Sequence, residues 1–148
     1  MTQEVLNLTG MKLMNDKVFL DTNILVYAYS NTEPDKQATA RKVIAEYDSY
    51  ISTQVLQELT NTLTKKFHNS WHEAQHVILE SCNNNLLHIN QRETVIDACN
   101  IAQKYNYSFY DSLIIAAAIE CNCSILYSED LHEGQLIESK LKIVNPFV

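Results

Sequence analysis

Glycine and proline are nearly absent from this chain, which has two of each in 148 residues. Because these residues interrupt helices and strands, their scarcity favours regular elements joined by short loops. The chain also lacks the internal repeats and low-complexity stretches that would mark a linker. With 46% hydrophobic residues at a length typical of one domain, we expect a single compact domain dominated by helices.

Cysteine is sparse and is not arranged as a zinc site or a disulfide framework. The four cysteines are Cys82, Cys99, Cys121 and Cys123, and no two of them are spaced as Cys-x-x-Cys. In a chain with this much apolar material, such thiols are typical of reduced core residues in a cytosolic protein.

Positive charge is in deficit, and long apolar runs are missing. Eleven Lys and Arg residues stand against 18 Asp and Glu residues, so the net charge is -7 and a polyphosphate is repelled unless cations intervene. No apolar run reaches membrane-spanning length, and residues 1–16 lack the pattern of a secretory signal. We expect a cytoplasmic protein with no membrane association. Residues 1–16 form a frayed tail in this interpretation, and residues 17–148 form the functional domain.

Short apolar segments alternate with longer amphipathic ones. The pattern predicts strands at 18–20, 50–52, 86–89, 124–127 and 142–147, with a loop or short helix at 130–138. It predicts helices at 24–30, 35–47, 55–67, 70–82, 93–105 and 108–119. Thr22 or Asn23 is expected to cap the first helix, and Ser70-x-x-Glu73 and Ser108-x-x-Asp111 have the form of capping boxes. Such alternation indicates an α/β fold with a mainly parallel sheet covered on both sides.

Acidic residues recur where predicted strands end. Asp21 directly follows the first strand, and Glu129 and Asp130 follow the fourth. Glu58 lies in the second turn of the helix after the second strand, and Asp111 begins the helix before the fourth. Because ligands of open α/β sheets bind beyond the carboxyl ends of the strands, these acids are expected to converge at one edge.

Each acid also has a structural explanation. Asp21 can cap a helix, Asp111 fits the last position of a capping box, and Asp130 suits a turn. Glu58 is harder to explain, because no Lys or Arg lies three or four residues from it. The combination favours function, since two charges about 4 Å apart repel by about 4 kcal/mol at an effective dielectric near 20. Oxygen ligands of this kind suit Mg²⁺ or Mn²⁺. An ion held in this way activates water and neutralises charge on a phosphodiester, so phosphoryl transfer is the expected chemistry.

Four ordered segments carry a family resemblance. They are Phe-Leu-Asp-Thr-Asn at 19–23, the stretch 52–63 with its Gln-Glu pair at 57–58, Tyr-Asp-Ser-Leu-Ile-Ile-Ala-Ala-Ala at 110–118, and Tyr-Ser-Glu-Asp-Leu at 127–131. Together they resemble the PIN domain family over residues 17–148, and within it the VapC toxins of bacterial toxin–antitoxin pairs. The resemblance implies a PIN-like three-layer fold, with a mainly parallel central sheet flanked by helices. It also implies a metal-dependent endoribonuclease.

The resemblance further implies roles for individual residues. Asp21, Glu58 and Asp111 match the three acids that hold the Mg²⁺ or Mn²⁺ ion in the family, and Asp130 matches a more variable fourth acid whose role Glu129 or Glu133 can share. Thr22 and Asn23 match the supporting polar pair after the first acid, and Asn23 is expected to orient a ligand through its amide. The implied partners are an RNA substrate, a cognate antitoxin and a second copy of the chain.

Other site interpretations are weaker. A phosphatase with an aspartyl nucleophile needs a second aspartate two residues after Asp21, where this chain has Asn23. His68, His72 and His76 recur every fourth residue, but the cap at Ser70 separates the first from the others and favours a solvated helix face over zinc. His132 is expected to be an exposed loop residue and not a group that transfers protons.

Basic and aromatic residues leave further alternatives open. Contact with RNA phosphates and simple solubility both explain the densest basic positions, which are Arg41, Lys42, Lys65 and Lys66. Half-buried packing and a docking surface for an antitoxin or a second protomer both explain Tyr27, Tyr29 and Trp71. The alternative to a nuclease is a PIN-like module that binds RNA or protein without cutting.

Overall fold

The computed structural model describes residues 16–148, so the expected tail, apart from Asp16, lies outside the described residues. The strands are β1 (Lys17–Leu20), β2 (Asp48–Ser52), β3 (Leu86–His88), β4 (Ile125–Tyr127), β5 (Leu136–Ile137) and β6 (Leu141–Val144). The helices are α1 (Thr22–Tyr29), α2 (Pro34–Glu46), α3 (Thr53–Lys65), α4 (Trp71–Asn84), α5 (Arg92–Tyr105) and α6 (Phe109–Glu120). The predicted alternation of strands and helices is confirmed.

The strands form one sheet in the order β3-β2-β1-β4-β6-β5. All neighbouring pairs are parallel except β5 and β6. The predicted α/β architecture, a mainly parallel sheet flanked by helices, is therefore confirmed. Val18, Phe19 and Leu20 of β1 are fully buried, as expected of a central strand that is covered on both faces.

The sheet contains one strand that the sequence pattern did not predict. β5 lies in the segment expected to be a loop or short helix, and its two residues pair antiparallel with β6. The reversal uses Glu138 and Ser139 in the left-handed region, with φ of 52° and 55°. Two residues are too few to show an alternating pattern. The last strand also ends at Val144, three residues earlier than predicted.

The start of α1 differs from the prediction. Asp21, rather than Thr22 or Asn23, is the N-cap, and its carboxylate accepts a hydrogen bond of 2.8 Å from the Thr22 N–H. Since the side chains of Thr22 and Asn23 lie within the first turn, they are free to make contacts elsewhere. The structural role proposed for Asp21 is therefore real.

Only one of the two predicted capping boxes is complete. Ser70 accepts from the Glu73 N–H at 3.0 Å, and Glu73 accepts from the Ser70 N–H at 2.7 Å. Ser108 likewise accepts from the Asp111 N–H at 3.2 Å, but within residues 16–148 the Asp111 carboxylate accepts no return bond from the Ser108 N–H. The side chain of Asp111 is thus not occupied by capping.

The cysteines are less buried than expected. All four are free thiols, and Cys123 is buried, whereas Cys99 is exposed.

Within residues 16–148, no helix has the length and apolar character needed to cross a membrane.

Candidate active site

The candidate site lies where the chain changes direction across the sheet. From β1 the chain runs outward to β2 and β3 on one side, whereas β4, β6 and β5 lie on the other. β1 and β4 are parallel neighbours, so their carboxyl ends meet, and the Asp21 N–H donates to the Tyr127 carbonyl at 3.0 Å. Such a switch point is where open α/β sheets bind ligands.

Asp21 is a buried carboxylate at this point, with 9% of its surface exposed. One oxygen accepts from the Thr22 N–H and the other from the Ser128 hydroxyl, each at 2.8 Å. Burial raises the pKa of Asp21 to about 6; the bonds from Ser128 and Thr22 oppose this rise, and the negative charges of Glu58 and Asp130 add to it. The ionised form therefore lacks a compensating positive charge among the groups that act on it.

Glu58 reaches the site from α3. This helix is fixed by the buried side chains of Val55, Leu59 and Leu63 on one face, and Glu58 is half-buried beside them. Oε1 of Glu58 accepts from the Thr22 hydroxyl at 2.5 Å. Thr22 thus connects two acids, since its backbone N–H binds Asp21 and its hydroxyl binds Glu58.

Gln54 is a site residue that the sequence interpretation missed. It is buried, and its Nε2 donates to Oε2 of Glu58 at 3.2 Å and to the Tyr110 carbonyl at 3.0 Å. Gln54 therefore links Glu58 to the residue before Asp111. The available signal was its position four residues before Glu58, which places both side chains on one helical face.

Asp130 completes the acids at the end of β4. It is exposed, and its Oδ2 accepts from the Asn23 side-chain amide at 3.1 Å. The Asp130 N–H donates to the Ser128 hydroxyl at 3.2 Å, so Ser128 binds both Asp21 and the segment that carries Asp130. Ser128 was not singled out from the sequence, although it is the first residue beyond a buried strand.

Asp111 lies at the border of this group. It is half-buried at the start of α6, and its negative charge contributes to the raised pKa of Tyr107, which is due mainly to burial. Its connection to the other acids runs through the Tyr110 carbonyl and Gln54. The structure thus joins Asp21, Glu58 and Asp130 through shared hydrogen-bond partners and links Asp111 to Glu58 through the Tyr110 carbonyl and Gln54.

The two other acids considered from the sequence have different partners. Glu129 accepts from the Tyr27 hydroxyl at 2.6 Å and from the Lys36 ammonium at 2.5 Å. Glu133 accepts from the Asn145 N–H at 2.6 Å. Both carboxylates are therefore engaged away from Asp21 and Glu58.

The donor set fits a hard divalent ion in chemistry, although it is not a preassembled cage. The four candidate acids offer only oxygen atoms, as Mg²⁺ and Mn²⁺ prefer. Within residues 16–148, no three His, Cys, Asp or Glu side chains are arranged so that they could hold a metal ion. Two buried atoms, Oε1 of Gln54 and Oγ of Ser112, have no partner in the part of the chain that the structure describes. Ordered water commonly satisfies such atoms, and an Mg²⁺ ion usually retains several waters.

A groove of about 450 Å³ lies between α1 and α3 and is lined by two of the candidate acids, Glu58 and Asp130; we call it the α1–α3 groove. Its polar lining comprises Thr22, Asn23, Ser30, Thr32, Glu33, Glu58, Asn61, Thr62, Lys66 and Asp130, and its apolar and aromatic lining comprises Val26, Tyr27 and Phe67. Lys66 is exposed at this groove and lies 5.6 Å from the centre of the Phe67 ring. The groove therefore offers a cation and an aromatic ring beside the acids.

The histidines lie apart from this arrangement. His72 and His76 are exposed on α4 with their Nε2 atoms 3.2 Å apart, whereas His68 precedes the helix with a left-handed φ of 59°. His132 is exposed on the loop after β4, and its ring lies 5.2 Å from that of Tyr107. The three regularly spaced histidines thus do not share one helical face.

The remaining basic and aromatic candidates divide between packing and exposure. Arg41, Lys42 and Lys65 are all exposed, and Arg41 also donates to the Ala28 carbonyl at 3.0 Å. Tyr27 contributes to the contacts of Glu129, and Trp71 is 72% exposed on α4.

Comparison with known proteins identifies the fold. The structure is similar to VapC20 of Mycobacterium tuberculosis, described as a sarcin–ricin loop cleaving toxin, with 17% identity over 76% of this chain and 89% of that chain and a TM-score of 0.60. It is similar to a chain of a toxin–antitoxin complex from Klebsiella pneumoniae, with 18% identity, coverage of 87% and 97%, and a TM-score of 0.65. It is also similar to a chain of VapBC2 from Rickettsia felis bound to promoter DNA, with 18% identity, coverage of 77% and 88%, and a TM-score of 0.59.

At such low identity these likenesses establish a common fold. No curated protein matches the chain. The sequence model of the PIN domain matches residues 18–133, which include all four candidate acids. The chain therefore belongs to the PIN domain family.

Proposed function

We propose that this protein is a metal-dependent endoribonuclease and the toxin of a toxin–antitoxin pair. The observation that carries the proposal is the environment of Asp21, a buried carboxylate that has two other acids acting on it at the carboxyl end of a PIN-domain sheet. Burying a charge in this way is unfavourable unless a cation compensates it. A bound divalent cation would compensate this charge, which the capping role of Asp21 does not do.

Asp21, Glu58, Asp111 and Asp130 are the residues that we propose hold the ion. The chemistry that Mg²⁺ or Mn²⁺ supplies at such a site is activation of water and neutralisation of charge on the phosphodiester. Ser128 and the Thr22 N–H fix the two oxygens of Asp21. Thr22 and Gln54 fix those of Glu58, and Asn23 orients Asp130. These bonds orient the individual acids, although within residues 16–148 the acids are not gathered into a cage for the ion.

The α1–α3 groove is the proposed path of the RNA. Its lining includes Glu58 and Asp130 together with Lys66 and Phe67, which offer a phosphate contact and a stacking surface for a base. Only a few such contacts are available on a chain of net charge -7. Binding of RNA is therefore expected to depend on the divalent cation as well as on the groove.

An antitoxin and a second protomer are the proposed protein partners. Two of the structural neighbours are toxin–antitoxin assemblies, which supports an antitoxin for this chain as well.

Large apolar side chains are exposed along the edge strand β3 and the following helix, including Leu86, Ile89 and Ile96. Exposed apolar patches on an edge strand favour association, and we assign this face to the homodimer. RNA as substrate and four free thiols both suit a cytoplasmic location.

Cleavage of RNA under control of divalent ions tests the proposal. Purified protein is incubated with labelled RNA in Mg²⁺, in Mn²⁺ and in excess EDTA, and products are resolved on a gel. We expect cleavage only with the ions, its loss in EDTA and its return when the ion is restored. Asp21→Asn should be inactive with an unchanged circular dichroism spectrum, whereas Asp97→Asn, at an exposed position of α5, serves as the matched control. Undiminished cleavage after exhaustive chelation would overturn the proposal, and the absence of cleavage in any ion would favour the non-cutting module.

A further inference from the structure

Two neighbouring acids follow β4, and the structure gives them different partners. Asp130 accepts a hydrogen bond from the Asn23 amide. Glu129 is bound on its Oε1 by the Tyr27 hydroxyl and on its Oε2 by the Lys36 ammonium. Of these two consecutive carboxylates, Asp130 therefore belongs to the acidic site, whereas Glu129 is paired with a cation.

The cation is itself fixed by aromatic rings. The Lys36 ammonium lies 4.7 Å from the centre of the Tyr27 ring and 5.6 Å from that of Phe147. The two rings meet edge to face with their centres 4.9 Å apart. Lys36 also donates to the Tyr27 hydroxyl at 3.2 Å, and Glu33 lies 3.7 Å away. Cation–π contacts and charge-assisted hydrogen bonds hold this lysine more firmly than an isolated surface ion pair would.

Lys36, Tyr27 and Glu129 form a unit that we call the clamp. The clamp is connected to the acids by Asn23, whose side-chain oxygen accepts from the Glu129 N–H at 3.4 Å. The amide nitrogen of the same side chain binds Asp130. The position of Glu129 therefore affects the group that orients Asp130.

We propose that Lys36 and Tyr27 are positioning residues, which withdraw Glu129 from the acidic site and thereby hold Asp130 in its place. The inference rests on the proposed function, because it assigns the clamp to the same metal-dependent reaction. Without Lys36, the Glu129 carboxylate keeps only the Tyr27 hydroxyl as a side-chain partner in the clamp, and its negative charge stands next to Asp130 in the chain with no cation to compensate it. The segment 128–130 is then expected to shift, and Asp130 with it.

Substitutions at the neighbouring acids distinguish the clamp from a fifth ligand. Glu129→Gln keeps one oxygen that can accept from Lys36, and its new amide NH2 can donate to the Tyr27 hydroxyl, so cleavage should fall by no more than about threefold. Asp130→Asn should cost at least about tenfold, since it removes a ligand charge. Equal losses in the two variants would show that Glu129 acts as Asp130 does, and would overturn the inference.

A double substitution tests the charge argument. Lys36→Met should lower cleavage at limiting Mn²⁺ by about tenfold, because it strands a carboxylate at the site. Lys36→Met/Glu129→Gln should recover most of that loss, since no stranded charge remains, and Lys36→Arg should stay close to the wild type. Tyr27→Phe, which removes only the hydroxyl, should show a smaller loss. A double variant no better than Lys36→Met would overturn the inference.

Calorimetry supplies a readout that does not depend on turnover. Mn²⁺ titrated into each metal-free protein should bind about tenfold more weakly to Lys36→Met and recover in the double variant. Circular dichroism verifies that each variant is folded. If wild-type protein neither cleaves RNA nor binds Mn²⁺, the proposed function fails and this inference fails with it. If wild-type protein does both and Lys36→Met equals it, only the clamp is wrong.

Discussion

Thr22 donates a 2.5 Å hydrogen bond from its hydroxyl to Glu58, a residue 36 positions further along the chain. The same residue binds Asp21 through its backbone N–H. One threonine therefore sets the relative position of two acids that come from different elements. This is possible because Asp21 is the helix cap, which puts Thr22 in the first helical turn.

Removing the Thr22 hydroxyl should weaken the site without unfolding the protein. Thr22→Val keeps the shape of the side chain and the backbone bond to Asp21, but leaves Oε1 of Glu58 without its donor. We expect cleavage to fall by about tenfold or more, as for groups that orient metal ligands. Thr64→Val is the control. It removes a hydroxyl that donates to the Thr60 carbonyl of its own helix, α3, and that contacts no acid. Equal activity of the two variants would contradict the role of Thr22.

The raised pKa of Asp21 predicts a pH-dependent stability in the absence of metal. An acid whose folded pKa is about 6 stabilises the native state below its unfolded value near 3.8, and that contribution is lost as the pH rises through 6. The difference of about two units corresponds to at most about 3 kcal/mol. Asp21→Asn should therefore gain stability relative to wild type between pH 4 and pH 7, as measured by urea unfolding in EDTA. A difference between the two proteins that does not change with pH would contradict this account.

Lys66 should contribute to RNA binding and not to the chemical step. Lys66→Met removes the exposed cation of the α1–α3 groove, so KM should rise by about threefold to tenfold while kcat is retained. The loss should shrink at higher salt, because phosphate contacts are screened. Lys42→Met removes an exposed lysine of α2 outside that groove and is the matched control. A fall in kcat alone would show that Lys66 acts elsewhere.

The edge strand β3 should carry the homodimer contact. Ile89 is 60% exposed just after this strand, and Leu136 is 55% exposed on β5 at the opposite edge of the sheet. Ile89→Lys should therefore shift the sedimentation coefficient to that of a monomer, whereas Leu136→Lys should not. Dissociation by Leu136→Lys, with Ile89→Lys unaffected, would assign the interface to the other edge.

Much of the fold was accessible from the sequence because the period of the apolar residues is strong. The buried run in β1 and the stripe of Val55, Leu59 and Leu63 in α3 both carry unambiguous patterns. β5 was missed because two residues have no period, and its position depends on pairing with β6.

The candidate acids were accessible because their positions follow strand ends and match an ordered family pattern. Their supporting contacts were not, since most join residues far apart in the chain. Ser128 binds Asp21 across 107 positions, and Lys36 binds Glu129 across 93. Gln54, four residues before Glu58, had a local signal that helical spacing could have identified.

Glu58 provides the most direct test that the acids carry RNA cleavage, because Glu58→Gln removes charge with almost no change in volume or helix propensity. RNA cleavage by wild type, Glu58→Gln and the exposed control Glu80→Gln is measured side by side in Mn²⁺, with matched circular dichroism. The account predicts a loss of about a hundredfold or more for Glu58→Gln and none for Glu80→Gln. Identical RNA products and rates from wild type and Glu58→Gln would contradict it.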